Sequence, residues 1–187
     1  MIFTQTRVLG AYVIDLERRA DDRGFFARAW CQQEFEAQGL TARVAQVNVS
    51  GNTHKGTVRG LHYQIAPHQE AKVVCCTRGA VYDVAVDLRP ESATYSRWVA
   101  VELTAGNRRL FYVPEGCAHG YQTLTDDAEL LYLMSQFYFP ELSYGVRYDD
   151  PTFGVEWPLA VTTISNADQS WPDYQAGTVN PPQVMRR

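Results

Sequence analysis

The chain has 187 residues, 45% of them apolar, with a formal charge of -4 and a pI near 5.5. That length can bury one substantial core and predicts a single domain over 1–187. The acidic balance excludes a broad phosphate-neutralising surface for nucleic acid, and no run of about eighteen apolar residues is available to cross a membrane. Residues 1–16 lack the cationic start and apolar run of an export signal, so a cytoplasmic protein is expected. Cys75 and Cys76 are adjacent and point to opposite faces of a strand, and Cys31, Cys75, Cys76 and Cys117 show no C-x-x-C spacing. All four are expected as reduced thiols.

In chain order, weak alternation at Tyr12, Ile14 and Leu16 breaks at the polar cluster Ala20-Asp21-Asp22-Arg23-Gly24, which reads as strand, turn, strand. Residues 31–40 place Phe35 among glutamines and glutamates ahead of Gly39, and predict the only helix. Strands follow over 45–50, 57–64, 72–77 and 80–88, the last two joined at Arg78-Gly79 as a tight hairpin. In 80–88, Tyr82, Val84, Val86 and Leu88 share a core face, while Val81, Asp83, Ala85 and Asp87 share a partly polar one. Further strands are expected over 98–103, 109–113, 119–124 and 129–138. Many short strands separated by Gly-, Asn- and Pro-bearing turns point to an all-β jelly roll, not β-α-β units. The last forty residues carry Asp150-Pro151, Trp157-Pro158, Trp171-Pro172 and Pro181-Pro182, and are expected to wrap the outside as turns and short helices.

The chemistry concentrates around Arg59-Gly60-Leu61-His62-Tyr63-Gln64. Histidine titrates near neutrality, and only four are present, His54, His62, His68 and His119. A lone strand histidine is more often a satisfied core residue, but a strand that also carries Arg59 and Gln64 buries too much polarity unless it faces a cavity. Lys72 reads either as a strand-end lysine reaching solvent or as a cation placed to stabilise an oxyanion. On strand 129–138, Tyr132, Met134, Gln136 and Tyr138 share a face, and six extended residues would hold the two tyrosines about 20 Å apart. His119 lies in the turn Pro114-Glu115-Gly116-Cys117-Ala118-His119-Gly120. A metal shared by His62 and His119 is disfavoured, because no H-x-H spacing or third ligand accompanies them.

These stretches, with Gly79 through Arg89, the tyrosine-bearing strand, and Asp149-Asp150-Pro151 followed by Trp157-Pro158, resemble the dTDP-4-dehydrorhamnose 3,5-epimerase family. The motifs run in family order over most of the chain. The resemblance implies a cupin-type jelly roll, a homodimer, no cofactor and no metal. It also implies epimerisation at C3 and/or C5 of a nucleotide-linked 4-keto-6-deoxy sugar. On matching positions it implies His62 as base, Asp168 as the carboxylate orienting it, Tyr132 as the opposing acid and Lys72 as the cation near the enolate oxygen. Arg23, Gln46, Asn48, Arg59 and His119 match sugar and diphosphate contacts, and Tyr138 matches the aromatic that stacks on the base.

Three positions depart from the family pattern. Arg28 and Ser143 stand where glutamates are usual, and Ala167 where a lysine precedes the dyad aspartate. All three fall on the binding side of the site, which leaves open a CDP-, GDP- or UDP-sugar or inversion of one centre. A non-catalytic sugar-nucleotide-binding barrel and a metal-dependent cupin are the rivals from other classes. Apolar residues Ile2, Phe3, Val8 and Leu9 are expected to be exposed and to support the dimer.

Overall fold

The computed structural model describes residues 1–176. Its first strands are β1 (Ile2–Gln5), β2 (Tyr12–Asp15), β3 (Arg19–Asp21) and β4 (Gly24–Phe26), followed by the helix α1 (Gln32–Ala37). Then come β5 (Gln46–Asn52), β6 (Val58–Gln64), β7 (Lys72–Arg78), β8 (Ala80–Asp87) and β9 (Trp98–Thr104). The series closes with β10 (Leu110–Val113), β11 (Cys117–Thr123), β12 (Ala128–Met134), β13 (Ser143–Gly145) and a one-turn helix α2 (Asn166–Gln169). Six strands form one sheet in the order β1-β2-β10-β7-β12-β5, five form a second in the order β13-β6-β11-β8-β9, and β3-β4 make a separate ribbon. This is the expected all-β, cupin-like arrangement.

Alternation decides what lies between the sheets. From β7, Val74 and Cys76 point inward and meet Val81 and Ala85 of β8, Val101 and Leu103 of β9, and Phe111 of β10. The intervening Val73 points outward with Ile14, Leu110 and Tyr112, and Phe35 of α1 covers them. Each fully buried aliphatic or aromatic side chain here is worth roughly 1.5–3 kcal/mol, so burial of these faces fixes strand register. The outer face of the five-stranded sheet is covered by Val146, Phe153 and, partly buried, Val155, Trp157 and Tyr174. The C-terminal segment therefore wraps as expected as far as residue 176, while Pro181-Pro182 lie outside the described residues.

Several local expectations change. Arg78-Gly79 is not a hairpin: β7 and β8 belong to different sheets, and Gly79, at φ +74°, turns the chain from one to the other. A side chain at Gly79 would collide with Thr125 Oγ1. The first thirty residues make four short strands, with the polar cluster at the tip of the β3-β4 ribbon. The helix covers Gln32–Ala37 and stops before Gly39 at φ +70°, while α2 is a short helix of the kind expected in the last forty residues, capped by the Ser165 hydroxyl accepting the Asp168 N–H. Both faces of β8 are buried, Asp83 and Asp87 included. Val8 is fully buried and Phe3 packs edge-on against Phe35, which leaves Ile2 and Leu9 as the exposed members of that group.

The last change matters most for the site. β12 ends at Met134, not at 138, because side chains replace the ladder beyond it. Ser135 Oγ accepts the Ala71 N–H at 2.7 Å, Gln46 Oε1 the Tyr138 N–H at 2.8 Å and Gln64 Oε1 the Phe139 N–H at 2.7 Å. The chain leaves the sheet, so Tyr138 is not held at the far end of an extended strand. None of the four cysteines is paired. Among the described residues no helix is long and apolar enough to cross a membrane.

Candidate active site

At one end of the sandwich the inward-facing residues turn polar and the sheets part around a cavity of about 410 Å³. The six-stranded sheet contributes Asn48 and Ser50 from β5, Lys72 from β7, and Tyr132 and Met134 from β12. The five-stranded sheet contributes Arg59 and His62 from β6, and His119, Gly120 and Tyr121 from β11. A second lobe of about 210 Å³ shares Asn48, His62, Lys72 and Met134, and adds Gln46, Glu70, Tyr138 and Ser143.

Strict alternation would put Arg59 and His62 on opposite faces of β6. Gly60 resolves this. It sits at φ +115° opposite a register shift between His119 and Tyr121, so the strand turns over locally and both side chains line the cavity. A Cβ at Gly60 would lie 2.7 Å from Gly120 Cα, and only two facing glycines permit that backbone approach.

His62 Nε2 lies 2.7 Å from Asp168 Oδ1, and Asp168 Oδ2 accepts the Gly60 N–H at 3.2 Å. Asp168 is 4% exposed. Burial pushes its carboxyl up, but the His62 hydrogen bond and charge, the Gly60 N–H and Ser165 outweigh it and hold the group below its usual value. An ionised carboxylate only accepts, so the ring nitrogen facing it must donate. That selects the tautomer with the proton on Nε2 and leaves the Nδ1 lone pair free to take a proton.

Lys72 is buried. Its Nζ lies 3.1 Å from Glu70 Oε1 and donates to the His62 carbonyl at 3.1 Å. An ammonium carries three N–H bonds, so one remains for a group in the cavity. Glu70 is itself held by Gln64, whose Nε2 donates to Oε2 at 3.1 Å. Tyr132 lies edge-on to His119, with ring centroids 6.1 Å apart. Burial, then Tyr121 and the Asp83 charge, push its phenol well above the ordinary value, against a smaller opposing pull from Ser50. The phenol is therefore protonated at neutral pH, the form an acid needs.

His119 is the cross-strand partner of His62, and its Nε2 meets Asp83 Oδ1 at 2.5 Å. Two histidine–carboxylate pairs thus stand side by side. Among the described residues no group of three His, Cys, Asp or Glu is arranged around a metal position.

The structure brings together His62, Asp168, Lys72, Tyr132, Asn48, Arg59 and His119, with Gln46 and Tyr138 in the second lobe. It does not bring in Arg23. That side chain is 89% exposed on the β3-β4 ribbon, where Asp21 holds its guanidinium at 2.6 Å. Arg28 is also remote, paired with Glu34, whereas Ser143 lines the second lobe. Glu70, Asp83, Tyr121, Ser50 and Asn52 are polar neighbours of the site that sequence reasoning did not single out. Asp83 alone carried a signal, as a charge between Val81 and Ala85 on the partly polar face of its strand.

The family model described as dTDP-4-dehydrorhamnose 3,5-epimerase matches residues 5–176. A Methanothermobacter thermautotrophicus protein of that name is 40% identical over 172 residues, covering 90% of this chain and 92% of its own. A Streptomyces niveus protein named dTDP-4-dehydrorhamnose 3-epimerase is 42% identical over 161 residues, covering 86% and 77% respectively. The crystal structure of dTDP-4-dehydrorhamnose 3,5-epimerase from Elizabethkingia anophelis matches with a TM-score of 0.90 at 35% identity, covering 93% of this chain and 96% of that one.

Proposed function

Because the chain belongs to the dTDP-4-dehydrorhamnose 3,5-epimerase family and is an isomerase of nucleotide sugars, we propose that it inverts C3 and C5 of a dTDP-linked 4-keto-6-deoxyhexose. The observation that carries this reading is the convergence of the His62–Asp168 pair, Lys72 and Tyr132 on one cavity. A carbon next to a ketone loses its proton only if the resulting charge can spread onto the carbonyl oxygen. His62 Nδ1 takes that proton, and Asp168 stabilises the imidazolium that forms. The third N–H of Lys72 supports the enolate oxygen. Tyr132 returns a proton from the other side of the sugar ring, so the configuration inverts. Arg59, His119 and Asn48 hold the diphosphate and sugar, while Gln46 and Tyr138 in the second lobe receive the nucleobase.

In D2O, a dTDP-linked 4-keto-6-deoxyhexose incubated with the protein should gain deuterium at both C3 and C5, read by NMR. Exchange at neither position overturns the reading. Exchange at C3 alone makes the enzyme a single-centre epimerase, the activity in the name of the Streptomyces niveus relative.

The same proposal includes a homodimer. Val47 and Val49 are exposed on β5, and Phe25 and Phe26 on the β3-β4 ribbon, so apolar area lies near both the cavity edge and Arg23. Pairing two chains over this surface would cover it, and would let Arg23, remote from its own cavity, serve that of a second copy. Light scattering should return twice the 21.2 kDa chain mass; a monomer would remove this part.

A further inference from the structure

Tyr132 packs against the core cluster that contains Tyr121 and lines the same cavity as Tyr121 and Ser50, two hydroxyl groups that the proposed reaction does not use. Tyr121 on β11 is 2% exposed, yet its hydroxyl is doubly engaged. It lies 2.9 Å from Ser50 Oγ and donates to Asn52 Oδ1 at 3.1 Å. The direction of the second bond is fixed by the amide. Asn52 Nδ2 donates to the carbonyls of Ala128 and Ser50, and Arg59 Nε donates to Oδ1 at 2.8 Å, so Oδ1 must face Tyr121 and can only accept. The Tyr121 proton is committed to Asn52, which leaves the Tyr121 oxygen as an acceptor. Ser50, half-buried on β5, faces both this buried oxygen and the open cavity.

Resting on the reading of Tyr132 as the acid, we propose that Tyr121, oriented by Asn52, is a positioning residue that keeps the Tyr132 hydroxyl protonated, and that Ser50 restores its proton between inversions. Two inversions on one bound sugar require that Tyr132 regain its proton between them. After the first, the Tyr132 O–H bond has broken and a C–H bond has formed, leaving a phenolate in a pocket already facing Asp83. The Ser50 hydroxyl swings from Tyr121 to the phenolate and passes its proton, and Ser50 takes one from water at the cavity mouth. His62 releases to water the proton it removed from carbon, so no net proton is consumed. A serine hydroxyl is a weaker acid than a phenol, so Ser50 acts only as a relay, losing one proton as it gains another, and the transfer that runs downhill is the overall one, from the His62 imidazolium through water to the buried phenolate. The directions of influence on Tyr132 agree with this geometry: Tyr121 raises its pKa, whereas Ser50 lowers it. The other charged or titratable groups facing or sharing this space are His119 on β11, Asp83 on β8, His62 and Arg59 on β6, and Lys72 on β7.

Two variants separate the roles. In Tyr121→Phe, the Tyr132 ring carbon, followed by NMR of tyrosine-labelled protein and assigned with Tyr132→Phe, should begin to shift at lower pH than in the wild type. Its kcat should fall about tenfold or more with KM unchanged. In Ser50→Ala the ring carbon should not move to lower pH, but kcat should fall and product inverted at a single centre should accumulate. Superimposable Tyr132 titrations in wild type and Tyr121→Phe up to pH 11 would overturn the proposal, as would double inversion at the wild-type rate in Ser50→Ala. The titration needs no substrate. A wild type that exchanges no sugar proton would therefore remove the epimerase reading and leave the hydroxyl network still open to test.

Discussion

His62→Ala is expected to lose at least about 10²- to 10⁴-fold in solvent deuterium exchange while retaining nucleotide binding. The imidazole Nδ1 is the lone pair that the Asp168 geometry exposes, and nothing else in the cavity matches it. Lys72 is held in an ion pair with Glu70, His119 is turned toward Asp83, and Tyr132 is held as a phenol. The residues assigned to the diphosphate and nucleobase, Arg59 and Tyr138 among them, are not touched by the change. Stabilisation of the folded protein by dTDP, which grows with free ligand over Kd, should therefore be nearly that of the wild type. Alanine also strips Asp168 of its partner and leaves a buried carboxylate, so His62→Asn, which still offers an N–H, is the companion variant. Exchange at the wild-type rate in both variants would rule His62 out as the base. Loss of both exchange and dTDP stabilisation would instead indicate a collapsed cavity.

His62 and Arg59 could be found because buried polarity on a short strand needs a cavity, but the strand's period of two could not explain how residues three apart share a face. That depends on Gly60 meeting Gly120 across the sheet, a contact between segments about sixty residues apart that periodicity does not encode. In the sequence, only the family resemblance marks Asp168. It sits on a four-residue helix too short to leave a periodic signal, and its role comes from packing beside β6. The Arg78-Gly79 expectation failed because a glycine between two strands is compatible both with a hairpin and with a switch between sheets, and pairing partners distant in sequence decide between them. The strand expected over 129–138 stops at Met134 for a related reason. Gln46, Gln64 and Ser135 satisfy the backbone where the ladder stops, and these acceptors lie far away in sequence or look like ordinary strand residues. The layering itself was readable, because alternation of valine, leucine and phenylalanine is local and its burial dominates the energetics.

Asp168→Asn should cost nearly as much activity as removing the histidine, roughly 10²- to 10⁴-fold in kcat, although it changes one atom. The carboxylate accepts twice, from His62 Nε2 through Oδ1 and from the Gly60 N–H through Oδ2. An amide offers one acceptor and one donor group, so it cannot do both. With its oxygen toward Gly60, its NH2 faces His62, forces Nε2 to accept and moves the ring proton onto Nδ1, which removes the base. With its oxygen toward His62, its NH2 opposes the Gly60 N–H, and a buried donor is left unmatched at about 1–3 kcal/mol. Either way the negative charge that stabilises the imidazolium is gone. The pH dependence supplies an independent check. The folded-state value of Asp168 lies below its ordinary 3.8, so its contribution to stability is fully present above that pH and is lost as pH falls through the lowered value. The variant does not titrate there. Urea midpoints of wild type and Asp168→Asn should therefore differ at neutral pH and converge on acidification below 3.8, whereas a gap unchanged by pH would assign the stability loss to packing and not to the charge pair.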